Sequence, residues 1–241
     1  MKELVVYQAS DRIAKVTMDD GKVNVMSVAM LDALHAAFDQ AERDKAIVIL
    51  TGRAGTFSAG FDLNVFAKGS ASEAFEMTSR GAELALRILA FPTPVIAACN
   101  GHAFPMGAFL MLASDVRVGA EGPFKIGLNE VAIGITVPSF ALELARQRLT
   151  AAHLSLGAVT GKLFSPTEAL AAGFLDQLVP AEALQTAAYA IAESLTKIDL
   201  PSHAATKARL RGASIKRVRA AIDAEIKLDI YQHRAAVARS A

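Results

Sequence analysis

From Phe91 to Ser114 the chain runs 24 residues without a formally charged side chain, long enough to cross a bilayer if it were one helix. Its content forbids that helix. Pro92, Pro94 and Pro105, with Asn100-Gly101 and Gly107, would break it and leave backbone polar groups unpaired in lipid. The same residues suit a strand over Val95–Cys99, a turn at Asn100-Gly101, and a buried helix from about Met106. The expectation is an interior segment and no membrane span.

Such a segment needs a sizeable body around it, and the chain supplies one. Of its 241 residues 53% are hydrophobic and 20% charged, with a mean hydropathy of +0.34, which excludes a disordered or low-complexity chain. The length suits one large domain, or one with an appendage. A net charge of +1 offers no overall basic field, so no nucleic acid partner is expected. The single Cys99 excludes a disulfide framework and any multi-thiolate metal site. Glu3 interrupts the apolar start MKELVVYQAS, so no secretory signal is visible, and the reading is an intracellular, cytoplasmic protein.

Strand and helix patterns then alternate. Leu4–Gln8 and Ile13–Met18 read as short strands, and Ala46–Leu50 as a buried one. Ser27 is placed to cap a helix with Leu31, Leu34, Phe38 and Ala41 on one face. Gly52 to Gly60 reads as a glycine-bearing loop, and Ser70-Ala-Ser-Glu73 as a capping box before a helix with Phe75, Ala82, Leu86 and Leu89. Ser165-Pro-Thr-Glu168 is a second capping box, Gly173 a C-cap, and Phe174 to Val179 a return to strand. After Pro180 the pattern is helical, with a break at Pro201. The fold class is α/β with helices appended.

Charge is uneven. From His203 onward there are nine Lys/Arg against three Asp/Glu. Lys207, Arg209, Arg211, Lys216, Arg217 and Arg219 come with no acid between them. Most of such a run is expected to be a solvated helix face, the competing reading being a site for a phosphorylated ligand or an acidic partner.

Much chemistry is absent. There is no G-x-G-x-x-G, Walker loop or H-E-x-x-H, and Thr-Phe-Ser-Ala-Gly around Ser58 is not a serine-hydrolase elbow. His102 and Cys99 read as structural. Two glycine-bearing loops remain, Gly55–Leu63 and Asn100–Phe109, each feeding a helix. A helix N-terminus leaves backbone N–H groups unpaired, so two such loops brought together would aim two donors at one oxygen. Glu130 stands in an apolar run between Ile126 and Phe140. Burial would raise its pKa toward the range of a general base. By composition alone the blander alternative is slightly favoured: a Glu on a surface turn, or one paired with Arg146 or Lys125.

Together these segments resemble the crotonase (enoyl-CoA hydratase/isomerase) superfamily. The motifs are FSAGFDL (Phe57–Leu63), PTPVIAACNGHAFPMG (Pro92–Gly107), SDVRVG (Ser114–Gly119), IGLNEVAIGI (Ile126–Ile135) and SPTEALAAGFLDQLVP (Ser165–Pro180), in the family's order and spacing. The resemblance runs from about Val5 to Pro180 and is looser beyond. It implies a spiral of ββα repeats over 1–180 carrying an acyl-CoA site. A helical oligomerisation region over 181–241 would build a homotrimer, often paired into a hexamer. It implies an acyl-CoA thioester substrate, with coenzyme A part of the substrate, no separate cofactor and no metal. The backbone N–H groups of Phe61 and Met106 would form the oxyanion hole, although the family usually has Gly-Gly-Gly where this chain has Pro105-Met106-Gly107.

Hydratases of the family use two glutamates, one at the position of Glu130 and one at the position of Phe109. Hydration needs water oriented and deprotonated at C3 while C2 is protonated, and a phenyl ring does neither. Moving a double bond from C3–C4 to C2–C3 needs one base. The chain is thus most like the 3,2-enoyl-CoA isomerases, enzymes of fatty acid metabolism, with Glu130 as base. Val23, Met26, Ala59, Leu63, Gly107, Phe109 and Asn129 are the expected substrate contacts, although core packing explains the apolar ones equally well. The alternatives are an enoyl-CoA hydratase (a lyase), another crotonase chemistry, or a non-catalytic crotonase-fold binder of coenzyme A esters or RNA.

Overall fold

The computed structural model describes residues 3–233. Strands β1 (Val5–Ser10) and β2 (Ile13–Met18) form a hairpin whose two-residue turn places Asp11 and Arg12 at positive φ, the geometry that matches the twist of paired strands. After β3 (Val25–Met26) comes α1 (Val28–Arg43), capped by Ser27 and burying Leu31, Leu34, Phe38 and Ala41 as the periodicity predicts. β4 (Ile47–Gly52) is buried throughout, as befits a parallel strand covered on both faces. The stretch expected as a loop instead carries β5 (Gly55–Ser58) and β6 (Gly60–Phe61). Strands this short have no period for a sequence to display.

Helices α2 (Leu63–Lys68) and α3 (Ala71–Ala90) follow, the second opened by the reciprocal Ser70–Glu73 capping box. The chargeless stretch becomes β7 (Val95–Cys99), β8 (Gly101–Ala103) and α4 (Pro105–Ala113). Asn100 makes no tight turn of its own. Its amide donates to the carbonyls of Gly52 and Arg53 and accepts from the Gly52 N–H, so it clamps the preceding repeat and the chain re-enters a strand at Gly101. The remaining elements are β9 (Val116–Ala120), β10 (Ile126–Gly127), a 3-10 turn at Val131–Ile133, α5 (Ser139–Arg146), α6 (Ala151–Thr160), β11 (Leu163–Phe164), α7 (Pro166–Ala172), β12 (Gln177–Val179), α8 (Leu184–Leu195) and α9 (Leu200–Glu225). The last strand is shorter than its apolar pattern, because left-handed Gly173 turns the chain and buries Phe174 and Leu175 before pairing resumes.

One sheet has the order β1-β2-β4-β7-β9-β12 and a second β11-β10-β8-β5, while β3 pairs with β6. Successive pairs β4/β5, β7/β8 and β9/β10 each give one strand to either large sheet, which is the ββα spiral. The main core lies inside it. A smaller cluster joins Ile47, Ile49, Ile96 and Val118 of the first sheet to Leu184, Ala188 and Ala192 of α8. No described helix is long and apolar enough to cross a membrane.

Most of the basic run lies on the solvated face expected of it, with two exceptions. Lys207 and Arg211 are buried and bond Asp115, just beyond α4. Arg217 and Arg219 pair with Glu143 and Glu83, and Arg209 and Lys216 face solvent. Helix α9 is thereby stitched to α3, α5 and the end of α4 in its own chain.

Candidate active site

Strands β5, β8 and β10 run parallel side by side, with Gly55 opposite Gly101 and Ile126 opposite Ala103. Their C-terminal ends therefore open at one edge, where crevices in parallel sheets form. The chain leaves β5 into Ala59-Gly60-Phe61, β8 into Phe104-Pro105-Met106, and β10 into Leu128-Asn129-Glu130. The three segments singled out in the sequence meet because their strands are neighbours.

Glycine lets the first two approach closely. Gly60 has φ +88°, and a methyl group on it would lie 3.5 Å from Met106 N. The Phe104 N–H donates to Ser58 O at 2.9 Å, while a methyl group on Gly107 would lie 2.8 Å from Ser58 Cβ. Pro105 contributes no N–H and Phe104 supplies no capping side chain, so the Met106 and Gly107 N–H groups head α4 without a side-chain cap. The Met106 side chain turns toward α3. A methyl group on Gly81 would lie 2.6 Å from the Phe61 ring and 3.2 Å from Met106 Sδ, so α3 keeps a glycine where both side chains rest. Met106 thus occupies space that Gly81 provides.

Two residues given no role by the sequence hold this crossing. Buried Ser58 donates through Oγ to Asn24 O at 2.7 Å and accepts the Gly60 N–H at 3.1 Å. Asn24, fully buried at positive φ, donates to the carbonyls of Met18 and Phe57. A lone amide between Val23 and Val25 was the signal available for it.

Glu130 precedes the 3-10 turn, and its carbonyl accepts the N–H groups of Ile133 and Ile135 at 3.0 and 2.8 Å. Its side chain is 4% exposed, and neither carboxyl oxygen has a hydrogen-bond partner. Burial pushes its pKa up to about 7. The two candidate partners lie elsewhere: Arg146 pairs with Glu143, and Lys125 is exposed. Asn129 Oδ1 beside it is also buried and unpartnered. Phe109, one turn beyond Met106 in α4, is buried edge-to-face on Phe140 of α5 with ring centroids 5.6 Å apart, and its ring has no proton to exchange.

The other expected contacts divide. Val23 and Leu63 expose 46% and 54% of their surface, and the Ala59 N–H donates to Val23 O at 2.9 Å. Met26 is fully buried within the core. His102 packs tilted on Phe104 and edge-to-face on Phe124, and accepts the Lys125 N–H. The Cys99 thiol donates to Gly101 O, and burial pushes its pKa up to about 12, which keeps it protonated. Among the described residues no group of three or more His, Cys, Asp or Glu is arranged to hold a metal.

The arrangement combines helix-end N–H donors beside a crossing strand end, an unpaired carboxyl poised near neutrality and an apolar wall. Such a set can stabilise an oxyanion and move a proton on adjacent carbon.

Comparison with known proteins bears on the same chemistry. The chain is 31% identical over 231 residues to human "Enoyl-CoA delta isomerase 1, mitochondrial", covering 93% of this chain and 76% of that one. It is 36% identical over 169 residues to a "Probable enoyl-CoA hydratase" of Bacillus subtilis, covering 68% and 64%. The solved apo structure of the Mycobacterium tuberculosis enoyl-CoA isomerase superimposes with a TM-score of 0.88 at 42% identity, covering 92% of this chain and 97% of that one. The sequence profile described as "Enoyl-CoA hydratase/isomerase" matches residues 8–239. The chain belongs to the enoyl-CoA hydratase/isomerase family and is an enzyme of that family.

Proposed function

We propose that the protein is a 3,2-trans-enoyl-CoA isomerase in which Glu130 alone carries the proton. The thioester oxygen sits between the N–H groups of Phe61 and Met106, which stabilise the enolate as it forms. Glu130 removes a proton from C2, the electrons delocalise toward C4, and the same carboxyl returns a proton at C4. A base that shuttles a proton must be unpaired and titrate near the working pH. The solitary buried carboxyl of Glu130 is the observation that carries this reading. Phe109 supports it by placing a ring where hydration would need a second carboxylate, and by keeping water from the intermediate.

In this reading residues 1–180 hold the acyl-CoA site and 181–241 serve assembly into a homotrimer or a pair of trimers; residues 234–241 of that region lie outside the described part. Val23, Ala59 and Leu63 line the coenzyme A rim, Met26 backs it from the core, and Gly107, Phe109 and Asn129 border the acyl group. Coenzyme A is part of the substrate, no further cofactor takes part, and the cytoplasm is the site of action.

The Bacillus relative's name gives a hydratase reading its weight, and one experiment separates the two. The protein is incubated with 3-hexenoyl-CoA, 2-hexenoyl-CoA and crotonyl-CoA, and the products are identified by mass and ultraviolet spectrum. Interconversion of the hexenoyl esters with negligible hydration is expected. Glu130→Gln should lower isomerisation by about 100-fold or more with KM little changed. Efficient hydration by the unmodified protein, or full activity in Glu130→Gln, would overturn the proposal. Saturable ester binding without turnover would point instead to a non-catalytic binder.

A further inference from the structure

A second concentration of buried polar groups lies at the opposite end of α4 from Met106. An open cleft of about 390 Å³ is walled by Asp115 and by the face of α9 that carries Ser202, His203, Lys207 and Arg211. Behind it stand Arg117 and Arg148, close enough to interact electrostatically with Arg211 and Asp115.

The charges do not balance. Four cations, Lys207, Arg211, Arg117 and Arg148, face two carboxylates, the partly buried Asp115 and the exposed Asp176. The exposed rim carboxylate, Asp199, caps the start of α9 by accepting the Ser202 N–H. Asp115 is already heavily engaged, accepting the Val95 N–H at 2.8 Å, Lys207 Nζ at 2.8 Å and Arg211 Nη2 at 3.0 Å.

Helix ends absorb part of the excess. Arg211 donates to the carbonyls of Leu89 and Ala113, and Arg148 to those of Leu112 and Ser114, where helix dipoles favour cations. Donors are left over. Lys207 uses one of its three on Asp115. His203 Nε2 is buried without a partner, as are Nε and Nη1 of Arg117, which is 3% exposed. Unspent buried donors and surplus positive charge destabilise a fold unless an acceptor of negative charge arrives.

We propose that this cleft binds a tetrahedral oxyanion of the phosphate class, held by Lys207, His203 and Arg211. Burial pushes the Lys207 pKa down to about 8, so at pH 7 it still offers a charged donor. The site is independent of the reaction assigned to Glu130.

Inorganic phosphate and adenosine 3′,5′-bisphosphate, titrated into the intact protein at constant ionic strength, distinguish a free anion from a phosphate ester. Melting temperature and 31P line width are the readouts. A saturable rise absent with chloride, weakened at least tenfold by Lys207→Met and by His203→Gln, is expected. Tighter binding of the bisphosphate would name a phosphate ester as the ligand, and tighter binding of phosphate a free anion. Either supports the site. His203 is half-buried and its Nε2 has no hydrogen-bond partner among the described residues, so His203→Gln reports on the cleft even if Lys207→Met fails to fold. A response that never saturates, or that His203→Gln leaves unchanged, would overturn the proposal.

Discussion

A carboxyl group transferred from water to an apolar wall keeps its proton longer, and Glu130 does so with no neighbouring charge to oppose the shift. Two consequences follow at this residue. First, kcat/KM for a 3-enoyl-CoA should rise with pH through a limb near 7 and fall about tenfold per unit below it, as a pH-rate profile will show. Second, the folded protein binds a proton that the unfolded chain releases between about 4.5 and 7. That contribution to stability is full below the lower value and is lost as pH rises through the higher one, about 3 kcal/mol in all. Glu130→Gln should therefore melt above the parent protein at pH 8, with the gap closing toward pH 5. Phe109 invites the complementary test. If the missing second carboxylate is what prevents hydration, Phe109→Glu should gain measurable hydration of crotonyl-CoA, while burial of an added carboxyl beside Phe140 lowers its melting temperature.

At the scale of elements, the site depends on three strand ends and one helix face being mutually positioned. Helix α3 takes part without offering a reactive group: Gly81 leaves room for the Phe61 ring and the Met106 sulfur. Gly81→Ala is expected to cost about 1–3 kcal/mol through overpacking and to lower kcat about tenfold or more by displacing both proposed oxyanion donors. The double variant Gly81→Ala with Phe61→Leu should recover part of kcat, because a smaller side chain leaves the residue 61 N–H free to return. Denaturant melts and steady-state kinetics on the pair check this. Equal kcat in the parent and Gly81→Ala would show that the two donors do not depend on this packing.

For the whole molecule, Asp115 fastens the C-terminal helices to the spiral. It gathers a backbone N–H from β7 and two cations from α9. Asp115→Ala would leave those cations buried without their acceptor and should cost about 3–5 kcal/mol, read as a shifted denaturation midpoint. Assembly is the other matter at this scale. Val131, Ile133, Ile135 and Val159 expose 39% to 68% of their surface beside Glu130, more apolar area than an isolated subunit gains from showing. Sedimentation of the full chain should return a trimer or a multiple of it. A monomer at micromolar concentration would remove the assembly part of the proposal.

The residues whose meaning is local were legible without coordinates. Capping boxes at Ser70 and Ser165, the helix stop at Gly173, the two strands that became β1 and β2, and the prolines that bar a membrane helix from the chargeless stretch each act within a few neighbours. Such neighbours are adjacent in sequence. The motif order around Phe61, Met106 and Glu130 was likewise visible, since glycines and a lone carboxylate mark a chain wherever it folds. Tertiary structure decided what depends on distant partners. It decided whether Glu130 finds a cation, where the Met106 side chain goes, how Asn24 and Ser58 brace a crossing formed by segments far apart in sequence, and why two residues of a basic run lie inside. A side chain's charge state and direction are set by whatever the fold places against it, and in a spiral that neighbour comes from another turn.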